Sequence, residues 1–381
     1  MNDSPRSAAL PYPINPQRAL PASAYRAAAH DIDLTHIWRR EWVFVATADA
    51  LAEAGDFVAV DVGGQPIIVL RNQRGQLTAM SNMCAHRGTP LVDGAGNAAR
   101  FQCPYHAWTY DDAGRLLAAP FAPELDRDAH CLATYRAEEW HGLVFATLNA
   151  DAPSVADRLA HVEPHVIDAG IDDMHHWPGQ RTVDQWAANW KLVMANAMES
   201  YHLFKVHPTT LEPYSPTAGA YYVVGNADAT VTGGSLAGGG NYLLLSIPPN
   251  FVAIISDRNY LGWEAVYPTA HDASMVVTGS ALPDPPPDRS GLLGKLAGQV
   301  TNSYLAGMSD FLVEDRAICE RVQRGVSGEY APGPLVAMEH IVVDFHHFLD
   351  RRLHGSPVPP VRTAEALGLP SSEHAATGPA V

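Results

Sequence analysis

The chain has 381 residues, 47% hydrophobic and 17% charged, an ordinary soluble composition with length enough for two domains. Its formal charge of −16 argues against nucleic acid and against an anionic membrane surface as partners. No apolar run approaches the roughly eighteen residues of a membrane span, and the Pro/Ala/Ser-rich stretch Met1 to Ser23 lacks the apolar core of a secretory signal. Four Cys and no signal lead to the expectation of a reducing cytoplasm. No internal repeat is found.

In chain order, Leu20 to Trp42 is a lead-in that turns helical around Asp31 to Arg40. From Gly55 the period changes to two. Phe57 to Val62 leads into Gly63-Gly64 and then Pro66 to Leu70, a hairpin signal. Asn72 to Gly75 is a second turn, and Leu77 to Met80 a strand that delivers Cys84. Short strands resume at Thr109-Tyr110 and Leu116-Leu117, and Trp140 to Leu148 is a further one before a boundary at Asp151-Ala152-Pro153.

Within this half lie C-A-H-R-G at Cys84 to Gly88 and C-P-Y-H-A-W at Cys103 to Trp108. Cys84, His86, Cys103 and His106 form a C-x-H pair and a C-x-x-H pair. Thiolates and neutral imidazoles suit iron–sulfur centres and zinc. Zinc sites usually open with C-x₂₋₄-C, however, and a Cys84–Cys103 disulfide leaves both His spacings unexplained. A Rieske [2Fe–2S] centre needs this set, because two His replace two Cys on one iron.

The second half mixes periods. Ser154 to Ile167 and Trp186 to His207 have helical spacing, the latter ending at Pro208. Tyr221 to Val231, Tyr242 to Ile247, Phe251 to Ile255, Leu261 to Pro268 and Ser274 to Ala281 read as antiparallel strands around Gly- and Asn-rich turns. Pro283 to Asp288 reads as a loop, Ser303 to Arg324 and Glu339 to Leu353 as helices, and Gly355 to Val381 as a flexible tail. In the Trp186 helix, Asn196, Glu199 and His202 recur every three residues and form a polar stripe. His202 and His207 are five apart, about 140° around an ideal helix, so they converge on one ion only if the helix distorts or ends. A 2-His-1-carboxylate triad needs one acid more, and Glu314-Asp315 offers two.

The H-R-G and C-P-Y-H-x-W flanks, E-S-Y-H-L…H-P at Glu199 to Pro208 and E-D-x-x-I-C-E-x-V-Q at Glu314 to Gln323 together resemble the Rieske non-haem iron oxygenases, the ring-hydroxylating α subunits. The resemblance runs from about Leu20 to Leu353. It implies an α+β chain: a small all-β Rieske domain over 40–150 and a helix-grip (START-like) catalytic domain with an antiparallel sheet over 151–354. A lead-in, 1–39, packs on the latter, and the tail is 355–381. The resemblance assigns Cys84, His86, Cys103 and His106 to a [2Fe–2S] cluster, and His202, His207 and Asp315 to a mononuclear Fe(II), with Glu314 the alternative to Asp315. Catalytic roles fall on Asn196 and on Glu199, which takes the place of the acid that bridges to a Rieske His of the neighbouring subunit. Many members have Asp there, and many have an acid where this chain has Ala195.

By the same resemblance the chain is the terminal oxygenase of a homotrimer, with O₂ as co-substrate, that hydroxylates or oxidatively demethylates a small molecule. No G-x-G-x-x-G follows a strand, so NAD(P)H and flavin belong to a separate reductase, with or without a ferredoxin between. The E-S-Y-H-L and E-D helices are similar to those of choline- and betaine-type members acting on quaternary ammonium compounds, and they also recur in aromatic-acid hydroxylases. Tyr201, Phe204, Tyr214, Tyr221, Tyr222, Tyr242, Phe251, Tyr260, Trp263 and Tyr267 are candidates for a cation-binding cage, an apolar pocket or plain core. A Rieske-type electron carrier is the reading from another class, and it leaves about 200 residues without a task.

Overall fold

The computed structural model describes residues 11–176, 181–256, 258, 260–283 and 310–372. The expected loop after Pro283 and the first turns of the Ser303 helix lie outside the described residues. The chain divides into two compact units, Ile37–Arg158 and Met1–His36 with Leu159–Val381.

The Ile37–Arg158 unit carries β1 Val43–Thr47, β2 Asp56–Val62, β3 Gln65–Arg71, β4 Leu77–Ser81, β5 Ala95–Asn97, β6 Arg100–Gln102, β7 Thr109–Asp111, β8 Leu116–Ala118, β9 Thr134–Trp140 and β10 Leu143–Thr147. They form a seven-stranded sheet ordered β1-β10-β9-β4-β3-β2-β5 and a three-stranded sheet β6-β7-β8. Gly63 and Gly64 turn β2 into β3 with φ of 62° and 78°, the left-handed pair that a two-residue hairpin requires. His141 and Gly142 repeat the device between β9 and β10, so the single strand read from Trp140 is a hairpin. Cys84 and Cys103 sit in the core with Phe57, Ile68, Met80 and Tyr110.

The helices along the chain are α1 Ala27–Asp33, α2 Val155–Leu159, α3 Glu163–Asp168, α4 Trp190–Met198, α5 Leu203–Val206, α6 Asp310–Val326, α7 His340–His354 and α8 Ala364–Leu367. In the second unit, β11 Met174–His176, β13 Ala220–Gly225, β14 Thr230–Ser235, β15 Asn241–Ile247, β16 Phe251–Ser256, β17 Tyr260–Ala270, β18 Ala273–Pro283 and β19 Arg362–Thr363 form an antiparallel sheet ordered β11-β18-β17-β16-β15-β14-β13-β19; β12 Thr182–Trp186 also pairs with β18. The stretch read as one strand, Tyr221 to Val231, is broken by a turn in which Asn226 Oδ1 accepts from Asp228 N at 2.7 Å. Gly233 and Gly234 lie inside β14, where the rings of Tyr221 and Tyr242 cover them.

Helix α4 packs on β15–β18 and against α6 and α7, which makes the unit α+β with its helices gripping one sheet. It starts at Trp190, four residues later than the spacing indicates, because Asn189 caps it by accepting from Lys191 N. Lys191 and Asp33, neither with any exposed side-chain surface, form an ion pair that ties α1 to α4, and Tyr12 Oη and Trp190 Nε1 also donate to Asp33. The expected flexible tail is a correction as far as residue 372: β19 pairs with β13, and Tyr222 N donates to Pro370 O.

Candidate metal centres and substrate cavity

The two Cys-His loops are built alike. Gly88 N closes on Cys84 O at 2.8 Å, and Ala107 N closes on Cys103 O at 3.0 Å. Each closing residue is left-handed, with φ of 72° at Gly88 and 58° at Ala107. The turn buries each thiol and lifts the following His outward. The rings of His86 and His106 lie 4.7 Å apart, and Trp108 stacks on His86. Burial alone raises the Cys103 thiol, but hydrogen bonds from the Tyr105 and His106 N–H groups, with Cys84 and Thr89, bring it below its usual value. His106 Nδ1 is closed to solvent with no hydrogen-bond partner among the described residues, as a ligating nitrogen must be. Two shielded thiols and two converging imidazoles fit a [2Fe–2S] cluster of the Rieske kind.

The second set forms where the expected long helix breaks, and the break is a correction to the helical stripe. At Glu199 the backbone is extended, with φ −113° and ψ 157°. Glu199 Oε2 accepts from the N–H groups of Tyr201 and His202, which restarts the chain as α5, and Pro208 follows α5 directly after His207. His202 Nε2 and His207 Nε2 are 3.2 Å apart, and Asp315 Oδ1 from α6 lies 3.0 Å from His207 Nε2 and 3.4 Å from His202 Nε2. An ion about 2.1 Å from each donor separates them by about 3.0 Å when they share an octahedral face. The donor set fits.

Each imidazole is held from behind. His202 Nδ1–H donates to Glu199 Oε1 at 2.6 Å, and His207 Nδ1–H to Glu314 Oε2 at 2.7 Å. Carboxylates there fix the tautomer and leave both Nε2 atoms for a metal. Glu314, which also accepts from Thr210 Oγ1, faces the far side of the ring from Asp315. Burial disfavours the charged imidazoles, but the acids outweigh it. His202 is raised to about 9 by Asp315 and Glu199, His207 is raised by Asp315 and Glu314, and Asp315 is lowered by the two rings although burial opposes this. Asn196, on α4, donates to Asp315 Oδ1 at 3.0 Å and accepts from Cys319 Sγ.

Residues 41–136 match the model of the Rieske [2Fe-2S] domain, and 156–236 and 231–355 match that of the ring hydroxylating alpha subunit catalytic domain. The chain belongs to this family. It is 34% identical over 183 residues to a glycine betaine monooxygenase oxygenase subunit of Chromohalobacter salexigens, covering 47% of this chain and 41% of that one. It is 33% identical over 202 residues to the carnitine monooxygenase oxygenase subunit of Escherichia coli, covering 51% and 54%, and 35% over 196 residues to the anthranilate 1,2-dioxygenase large subunit of Burkholderia cepacia, covering 47% and 45%. These matches span about half the length of the curated relatives. Among solved structures, a quaternary ammonium Rieske monooxygenase in complex with an inhibitor superposes with a TM-score of 0.79 at 23% identity, covering 91% of this chain and all of that one. Naphthalene 1,2-dioxygenase from Rhodococcus gives 0.74 at 18%, covering 89% and 95%. Both likenesses show a shared fold.

In this family member the Nε2 side of the triad opens on a cavity of about 210 Å³, small beside the roughly 300–1,000 Å³ of drug-sized sites. Asn196, Glu199, His202 and Asp315 line it beside Tyr214, Tyr242, Tyr260 and Trp263. The other candidate rings lie elsewhere: Tyr221, Tyr222, Phe251 and Tyr267 are core, and Tyr201 and Phe204 are exposed. Sequence reasoning missed Phe311 and Glu264, both at the wall. Glu264 sits inside a β-rich run and signalled nothing. Burial, helped by Asp315, pushes its carboxyl up to about 8. Oε1 is shut off from solvent without a partner among the described residues, a state that costs about 1–3 kcal/mol.

Proposed function

We propose that this chain is the terminal oxygenase component of a Rieske non-haem iron system that hydroxylates, and thereby oxidatively demethylates, a small quaternary ammonium compound. The observation that carries this reading is the His202–His207–Asp315 set at the mouth of an apolar, ring-lined cavity, in a chain that also holds the Cys84–His86–Cys103–His106 set. When bound, the cluster would store electrons and the mononuclear Fe(II) would activate O₂ beside the substrate. With two reductase-derived electrons and two protons, one oxygen atom of O₂ would become a hydroxyl on the methyl carbon and the other would leave as water. The hydroxymethylammonium would then lose formaldehyde, the O–H proton passing to solvent and the C–N electron pair staying on the tertiary amine.

The protein's own work is positional. Glu199 and Glu314 hold the two imidazoles, Asp315 supplies the anionic ligand, and Asn196 braces Asp315. Support for a cationic substrate over an aromatic acid comes from the wall, where Glu199, Glu264 and Asp315 stand with no Lys or Arg among the described residues. Betaines carry a carboxylate as well, so the distinction lies in the cationic head, which these acids can pair and which an aromatic acid lacks. The anthranilate dioxygenase relative keeps the aromatic reading as the alternative.

Glu199 also stands where the family's bridge to the neighbouring subunit's cluster ligand would run, in a homotrimer. The exposed, tilted pair Tyr201 and Phe204 beside it supports a covering partner there. Electrons come from a separate NAD(P)H-dependent flavin reductase. No helix among the described residues is long and apolar enough to cross a membrane, and we place the protein in the cytoplasm, where Cys84 and Cys103 stay available as thiolates. The test is iron and sulfide analysis, expecting about three irons per chain, two in the cluster and one in the triad. It is followed by reductase-coupled oxygen uptake with glycine betaine, carnitine and anthranilate. Two irons and no uptake indicate an electron carrier, and uptake with anthranilate alone selects the aromatic reading.

A further inference from the structure

The cavity-facing side of the sheet is set by strand register. Ile254 pairs with Gly262, and Val252 with Glu264, so these four side-chain positions share one face, and all four line the cavity. Glu264 is thus a carboxylic acid in the middle of a buried strand, flanked across the sheet by Val252 and Thr278. Two other carboxylates line the same space, but both are committed. Glu199 accepts from His202 Nδ1 and two backbone N–H groups, and Asp315 Oδ1 faces both imidazoles and Asn196. Among the described residues Glu264 has no such partner, and its Oε1 is closed to solvent.

The neighbouring position explains what lies next to it. A Cβ on Gly262 would sit 2.8–3.2 Å from Oη, Cε1 and Cζ of Tyr260, so the hydroxyl end of that phenol lies over Gly262, one step along the same face from Glu264. A ring and a carboxyl group set side by side in an apolar wall match the chemistry of a methylated ammonium group. Ring faces attract it, and its positive charge favours release of the Glu264 proton to solvent, so that the acid, held neutral by burial, becomes the neutralising carboxylate. We propose that Glu264 is a specificity-determining residue that receives the cationic head of the substrate, with Tyr260 packing beside that head. This rests on reading the cavity as the substrate site of a quaternary ammonium oxygenase.

The test uses the iron-loaded protein under anaerobic conditions, so that binding is measured without turnover. Glycine betaine and 3,3-dimethylbutyrate have the same shape and carboxylate but differ in the charge of the head, and calorimetry gives a dissociation constant for each. The wild-type protein is expected to prefer the cation at least tenfold, a preference that Glu264→Gln should reduce by on the order of tenfold while leaving the neutral isostere unchanged. Glu264→Asp, which keeps the charge, should retain a larger share of the preference. Unchanged selectivity in Glu264→Gln overturns the Glu264 assignment and leaves the substrate class standing. An equal loss for both probes overturns it too, because the residue then acts on cavity shape. A wild-type protein with no preference for the cation removes the substrate reading and this proposal with it.

Discussion

Replacing Asp315 by Ala and Glu314 by Gln separates two adjacent carboxylates that the geometry gives different tasks. Asp315 Oδ1 faces both Nε2 atoms, at 3.0 and 3.4 Å, so on the proposed reading its loss would remove one of the three donors that would hold the ion. Glu314 touches His207 only at Nδ1, at 2.7 Å, across the ring from the ion. Removing a partner of that kind typically costs about 10–100-fold in metal affinity, or about 1.4–2.7 kcal/mol. Asp315→Ala should therefore weaken iron binding by more than about a hundredfold, and Glu314→Gln by between tenfold and a hundredfold. The assay is competition with a calibrated chelator after stripping the mononuclear site, with the visible cluster spectrum as an internal check that the other unit is intact. Equal losses, or a larger one for Glu314→Gln, would refute the division of labour and make Glu314 the ligand.

Other consequences are as direct. Ala107 holds a left-handed conformation that suits glycine, so Ala107→Gly should stabilise the Cys103 loop by about 1 kcal/mol, read as slower thermal bleaching of the cluster. Lys191→Met leaves the Asp33 carboxylate buried and uncompensated and should cost about 3–5 kcal/mol in denaturant unfolding. Adding Asp33→Asn should recover most of it, and additive losses would show the pair to be uncoupled. Burial depresses His346 to about 4, only partly offset by backbone bonds at Pro16 and Arg18. Its contribution is present above its ordinary value of 6.5 and is lost as the pH falls towards 4, with a slope of up to about 1.4 kcal/mol per pH unit. His346→Gln should flatten that limb of the stability–pH curve, and an unaltered limb would assign the acid lability elsewhere.

Sequence reading reached the candidate cluster ligands because such ligands obey spacing rules that survive without a fold. Cys84, His86, Cys103 and His106 were candidates in that way, whereas His202, His207 and the Glu314-Asp315 pair were singled out by the family resemblance, since two His five apart on a helix converge only if it breaks. The break at Glu199 was not, since Trp190 to Met198 and Leu203 to Val206 are all compatible with one helix. What interrupts them is a carboxylate drawing on two N–H groups, a tertiary bargain with no periodic signature. Strand β9 escaped because Thr-Tyr-Arg-Ala-Glu-Glu-Trp buries little besides its last residue, so its polar composition concealed an inner strand of the sheet. Gly233-Gly234 lies beyond the strand read as ending at Val231, although the pair sits inside β14 as clearance for two tyrosine rings.

That clearance has a bearing on how the chamber is dimensioned. Tyr242 lies over Gly234 and Tyr260 over Gly262, and in both cases a single methyl group at the glycine would intrude on the ring. Tyr242 and Tyr260 are themselves walls of the chamber, so a substituent on either glycine would drive a ring inward. Its width is therefore governed by two positions with no side chain to offer a ligand, Gly262 in the wall itself and Gly234 behind it, and a bulkier guest could be refused by altering Gly234, which is not part of the wall.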